Sequence, residues 1–116
     1  MIDSHCHLNF DKLKNNFNKI IEKAKNNDIT SILSINTDPI NFDDHYKLIE
    51  NYKSINISYG LHPENVSKKN ILKKNNIINK SKLHKVIGIG ETGLDFYHSV
   101  EFKKEQYLSF ENHIEA

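Results

Sequence analysis

No arginine occurs among the 116 residues, so all sixteen basic side chains are lysines. Without a guanidinium fork there is no bidentate clamp for a phosphate, and any phosphate would have to meet Lys, backbone amides or a metal ion. Cysteine is represented once, by Cys6, which has no partner for an intrachain disulfide. That suits a reducing compartment, and a cytoplasmic location is expected. No run of about 18 apolar residues exists to cross a membrane, and MIDSHCHLNF is not a charged leader followed by an apolar stretch. Charge of one sign is also missing: a net +1 leaves no polybasic footprint for a membrane surface or for unspecific capture of nucleic acid.

What is present suits one modest folded domain over residues 1–116, with 37% hydrophobic and 27% charged residues. Asn, Lys and Ile crowd the chain, as in KKNNIINK, yet the apolar periodicity passes through them undisturbed. Runs rich in β-branched residues at Ile2 to Leu8, Ile29 to Ile35, Ile55 to Leu61 and Val86 to Ile89 predict four strands. Between them lie helical stripes. Leu13, Phe17, Ile20, Ile21 and Ala24 form the first, and Phe42, Tyr46, Ile49 and Tyr52 the second, after a start at Asp38 and Pro39. Ile71, Leu72, Ile77 and Ile78 mark a third helix, and Phe102, Gln106, Phe110 and Ile114 a fourth.

Alternating strands and helices demand parallel pairing through right-handed crossovers. The comparable positions His5, Ile32, Tyr59 and Ile89 recur at nearly the βα period of an eight-fold barrel, about 31 residues. The length accommodates about four such units, so the expected fold is α/β: either a small open sheet or the first half of a (β/α)8 barrel.

In such folds the chemistry gathers at the carboxyl ends of the strands. His5 and His7 close the first strand beside Asp3, Asn36 and Asp38 follow the second, His62 closes the third, and Glu91 the fourth. Residues at i and i+2 share one face of a strand, so His5 and His7 can approach one ion while Cys6 faces the helix layer. Imidazoles and a carboxylate form a mixed donor set suited to zinc and similar ions. Pro63 holds His62 extended.

Gly88, Gly90 and Gly93 spell G-x-G-x-x-G, but LDFYH follows where a dinucleotide fingerprint would open a helix. These glycines are better explained by close packing and by a turn that aims Glu91 inward. His45, His84, His98 and His113 lack partners at ligand spacing and are expected to be solvated or helix-face residues. The lysines from Lys68 to Lys85 are expected to solvate a helix.

IDSHCHL at the amino terminus, GLHPE after the third strand and IGETGLDFY after the fourth resemble the TatD-like deoxyribonucleases, metal-dependent hydrolases of the amidohydrolase type. The order and spacing of the motifs match, and QYLSFENHIEA is similar to the helix that follows them. The resemblance implies a (β/α)8 barrel with a two-metal site that cleaves nucleic-acid phosphodiesters. It implies His5 and His7 as ligands of one divalent ion, whether zinc, magnesium or manganese, and Glu91 as the catalytic carboxylate contacting both ions. It further implies His62 near the substrate phosphate and a supporting role for Asp95. The family's remaining ligands, two histidines and an aspartate on later strands, have no counterpart here. The chain is therefore expected to be an incomplete barrel of about four strands and four helices, and the alternatives to a hydrolase are a non-catalytic truncated remnant or a half-barrel subunit that needs a partner chain to complete the site.

Three expectations complete the reading. His5, His7 and Glu91 should converge although strands one and four are the outer edges, which requires curvature of the sheet. The open edges and inner face should call for a partner, either a second copy or a second half-barrel chain, with Ile32, Leu33 or Ile57 meeting water according to register. DNA or another phosphodiester is the expected substrate, without base-specific readout.

Overall fold

A strand can lie parallel to its predecessor only after a crossover, and here each crossover is helical. The computed structural model describes residues 1–116, with strands β1 (Ile2–Cys6), β2 (Ser31–Ser34), β3 (Ile55–Tyr59) and β4 (Val86–Ile89). They form one parallel sheet in the order β1-β2-β3-β4. Ile32 pairs with Ile55, and Ile57 with Val86, so β-branched residues stack across the sheet on one side. Irregular register interrupts β1 between Asp3 and Cys6 and β3 at Ile57 to Ser58. Such irregularities bend and twist a sheet, which lets its edges turn toward each other. No helix is long and apolar enough to cross a membrane.

The helical segments are α1 (Asp11–Lys14), α2 (Phe17–Asn26), α3 (Phe42–Ile49), α4 (Lys74–Ser81) and α5 (Lys103–Glu115). The single helix expected from Leu13 to Ala24 is split in two. Asn15 and Asn16 intervene, and Asn16 leaves the helical region at φ −122°, a departure that asparagine makes at little cost. The Asp38 and Pro39 start is present, though as a 3₁₀ turn over Pro39–Asn41 that runs into α3. There the Asp38 Oδ1 accepts the Ile40 N–H at 3.0 Å. Ile71 and Leu72 lie before α4 instead of within it, because Lys73 is extended; Leu72 is nonetheless buried.

One continuous core fills the space between sheet and helices, joining Ile32, Ile55, Ile57, Tyr59 and Val86 to Phe17, Phe42, Ile49, Leu72 and Ile77. Each fully buried side chain of this size contributes roughly 1.5 to 3 kcal/mol. Ile32 and Ile57, two of the residues expected to risk exposure, therefore point at the helices, and Leu33 is half-buried. On β4 it is instead Ile87 and Ile89 that are exposed, at 62% and 42%, where alternation turns them to the opposite face. In α5 the buried positions are Gln106, Ser109 and His113, while Ile114 is exposed. The inward stripe of this helix is polar because it meets loop backbone at the strand ends instead of the apolar core.

Candidate metal centre

Alternation along β1 sets the first two donors. His5 and His7 share a side, and the Asp3 Oδ1 accepts the His5 N–H at 3.1 Å. Cys6 packs against the core on the other side. Burial, followed by the nearby Asp3 charge, pushes its thiol up to about 11, so at neutral pH it is neither a thiolate ligand nor a nucleophile.

The His7 Nδ1 lies 3.1 Å from the Ile35 carbonyl, which can only accept, so Nδ1 carries the proton. That leaves the Nε2 lone pair free, and Nε2 is the atom turned toward Glu91. A backbone carbonyl fixing the far nitrogen in this way is the usual support of a metal-binding imidazole. His62 has the opposite tautomer. Its Nδ1 accepts the Glu64 N–H at 3.3 Å, so in the neutral ring Nε2 bears the proton. Its backbone is extended before Pro63, as the sequence implies.

Glu91 is delivered by backbone alone. The Gly90 N–H donates to Tyr59 O at 3.0 Å and the Glu91 N–H to Asn36 O at 3.1 Å, tying the end of β4 to the ends of β3 and β2. The Gly90–Glu91 peptide is cis, and Gly90 has φ 151°, where side chains are strained. Gly60 makes the approach possible, since a Cβ there would stand 2.6 Å from the Gly90 Cα. This glycine, inside GLHPE, carries a role that the sequence reading assigned only to Gly88, Gly90 and Gly93.

The three expected ligands come together. Glu91 Oε2 is 3.7 Å from His5 Nε2 and 4.0 Å from His7 Nε2, while Oε1 is 3.9 Å from His62 Nε2. One donor atom each from His5, His7 and Glu91 falls within 4.8 Å of the others. A tetrahedral shell with bonds of about 2.0 to 2.1 Å has edges of about 3.3 Å, so this set needs only a small inward movement to hold one ion. Two imidazoles and a carboxylate also fit such an ion chemically.

Asp95 stands apart from these ligands. Its Oδ1 accepts the N–H groups of Tyr97 and His98 at 2.9 and 3.2 Å, and Oδ2 meets His98 Nδ1 at 2.6 Å. Its own N–H donates to Gln106 Oε1 at 2.8 Å, and Gln106 Nε2 donates back to Asp95 O at 3.1 Å, latching the loop onto α5. Hydrogen bonding from His98 pulls the Asp95 carboxyl below its ordinary value, and Asp95 correspondingly raises His98. Glu64 Oε1 joins this group at 3.1 Å from His98 Nδ1.

His45 and His113, expected to be solvated or helix-face residues, lie on α3 and α5, and both are buried. His45 Nε2 is 2.7 Å from Ser34 Oγ, which also accepts the Leu8 N–H at 3.2 Å. Burial, then the neighbouring His7 and Lys14, lowers His45 to about 4. His113 Nε2 accepts the Leu61 N–H at 3.2 Å, holding α5 against the loop that carries His62. Neither role has a signal in sequence spacing, because each depends on a partner brought in by the fold.

Residues 2–116 match the family described as TatD related DNase. The chain belongs to the TatD family. It is 36% identical over 121 residues to a protein of Buchnera aphidicola subsp. Baizongia pistaciae named "Uncharacterized metal-dependent hydrolase", covering 100% of this chain and 44% of that one. A second such hydrolase, from Buchnera aphidicola subsp. Acyrthosiphon pisum, is 37% identical over 123 residues, covering 98% and 47%. The crystal structure of YjjV, a TatD homolog from Escherichia coli K12, superposes with a TM-score of 0.81 at 26% identity, covering 99% of this chain and 45% of that chain. The TatD chain described here thus spans about half the length of the curated relatives it matches.

Proposed function

We propose that this TatD chain takes part in metal-dependent hydrolysis of nucleic-acid phosphodiester bonds. The observation that carries the reading is the convergence of His5, His7 and Glu91, from the two outermost strands, within reach of one ion. His5 and His7 would present imidazole nitrogens, and Glu91 the carboxylate, to a zinc, magnesium or manganese ion. A divalent ion in such a set supplies Lewis acidity toward a phosphate oxygen and acidifies water. His7 is held with Nδ1 toward the Ile35 carbonyl, so Nε2 is the nitrogen it would offer the ion. His62, with its proton on Nε2, can donate to a phosphate oxygen and so orient an anion that no arginine is present to hold. Glu91 faces His5 and His7 through one oxygen and His62 through the other, which lets a single carboxylate organise both the metal side and the substrate side of the site.

The test is cleavage of single- and double-stranded DNA by the purified chain with zinc, magnesium or manganese. Cleavage should require the metal and vanish in Glu91→Gln, which keeps the size and loses the charge. Calorimetry should show zinc binding weakened in the same variant. Cleavage that persists in excess chelator overturns the reading. The exposure of Ile87 and Ile89 on the open face favours a second form of it, in which the centre is completed by another half-barrel. In that case cleavage appears only when a second half-barrel chain is added.

A further inference from the structure

Beside the metal centre, between the β1 end with α1 and the amino-terminal half of α3, lies a cleft of about 900 Å³. It is within the range of small-ligand sites, and it is bounded by units already in place, so it does not depend on the open side of the sheet. His7 lines it, and through His7 the cleft adjoins Glu91. Phe10 stacks on His7 with ring centroids 4.7 Å apart and planes at 14°, yet remains 50% exposed. An aromatic platform braced from one side and open to a cleft is what a planar heterocycle stacks on.

Polar groups around the platform lack partners. His45, which lines the cleft and is 1% exposed, spends Nε2 on Ser34 and leaves Nδ1 unpaired. The Asn9 Oδ1, also at the cleft, is buried without a donor. Both atoms are sealed beneath the cleft wall, so a ligand becomes their missing partner once the Asn9 and His45 side chains turn toward it. Lys12 and Lys14 line the same space and can meet a phosphate. Asp11 and Asp44 balance their charge, so the cleft is no general anion trap and must gain affinity from the non-phosphate part of its ligand.

We infer that this cleft is a nucleotide subsite, taking the base of a nucleotide on Phe10 and its phosphate toward Lys12 and Lys14. The subsite rests on the nuclease reading for its place in a reaction, since it would seat a nucleotide flanking the bond presented to His5, His7 and Glu91. Its existence is testable without any metal. Recognition is by stacking, so purines should bind better than pyrimidines.

The probe is 5′-dAMP titrated into the intact chain in EDTA, followed by amide chemical shifts. Shifts should centre on Phe10, Lys12, Lys14 and His45. Phe10→Ala should weaken binding about 5- to 150-fold, the range for loss of one stacked base. Because the chain has no tryptophan, F10W provides a single indole, excited to the red of the five tyrosines, that keeps the platform, and dAMP should quench it saturably. This second variant keeps the test decisive if Phe10→Ala folds poorly. Unchanged affinity in a folded Phe10→Ala, no response in F10W, or inorganic phosphate competing as well as dAMP would each overturn the subsite. Metal-dependent DNA cleavage without dAMP binding removes the subsite and leaves the hydrolase. Binding of dAMP by a chain that never cleaves DNA keeps the subsite and removes the hydrolase.

Discussion

On the helix side of the sheet Ile55, Ile57 and Ile77 are wholly sealed, whereas on the opposite side Ile87 and Ile89 stand largely in water. One face holds the chain together, and the other carries His5 and Glu91. In a complete barrel the second face is covered by side chains from opposite strands. Here it ends in two unpaired edges, β1 and β4, which are templates for another strand. The difference separates stability from the candidate site: the sealed face can be damaged without touching the candidate ligands His5 and Glu91, and the open face can be changed without unfolding the core.

The largest expected effect follows directly. Ile57→Ala should lower unfolding stability by about 2 to 5 kcal/mol, the cost of deleting a buried branched side chain. Ile87→Ala should cost less than about 0.5 kcal/mol, as at an exposed position. Urea midpoints of the two variants check this, and equal costs would break the comparison. Light scattering sharpens it. The chain should have a mass above its monomer value of 13.5 kDa, and Ile87→Asp should bring it back toward that value by charging the open face. A parent chain that stays monomeric on dilution and melts sharply would show that the half-barrel closes its own core.

Among the polar groups buried in the chain is the His45 ring, and it yields the next effect. His45 is held near 4 in the folded chain, against an ordinary value of 6.5, chiefly by burial. The unfolded chain therefore binds this proton first, and stability is lost as pH falls from about 6.5 to about 4. The loss is about 2 to 3 kcal/mol for a shift of this size. His113 is lowered as well, by burial, and pulls the same way. His45→Gln should flatten much of the slope of stability against pH in this window while leaving part of it to His113. A parent slope that is flat from pH 6.5 to 4 would contradict the assignment.

These residues also mark what a reader of the sequence can and cannot see. Val86–Ile89 was legible to the residue, because a β-branched run between a loop lysine and a glycine turn is a local signal. His5, His7 and Glu91 were legible because alternation and position at strand ends are local too, and their convergence followed from parallel topology. The burial of His45 was not. It depends on Ser34, eleven residues away, and a histidine on a helix looks alike whether or not such a hydroxyl waits beneath it. On α5 the stripe included Gln106, but the burial of His113 was hidden for the same reason, since it is set by the loop backbone it binds. Gly60 was overlooked because its role is to admit the Gly90 backbone from another strand, a contact with no imprint on its own neighbours in sequence.

The smallest effect is expected at the rim, where the two faces meet at the strand ends. Asp95 and His98 are a close pair, but His98 is exposed and Asp95 only half-buried, and pairs so open to solvent add little to stability. The hydrogen bond from His98 lowers Asp95, and Asp95 together with Glu64 raises His98. The His98 contribution is therefore complete below its unfolded pKa and disappears as pH rises through its raised folded value. The Asp95 contribution is present above the ordinary carboxylate range and disappears as pH falls through its lowered one, so the pair is strongest between the two. In Asp95→Asn the His98 ring, followed by its Cε1 proton shift, should titrate lower than in the parent, with Glu64 retaining a small upward pull. The melting temperature should barely move, because the Gln106 latch runs through the backbone of residue 95 and survives the change. A loss of stability comparable to that of Ile57→Ala would place this rim among the elements that hold the fold, and the division between the two faces would no longer stand.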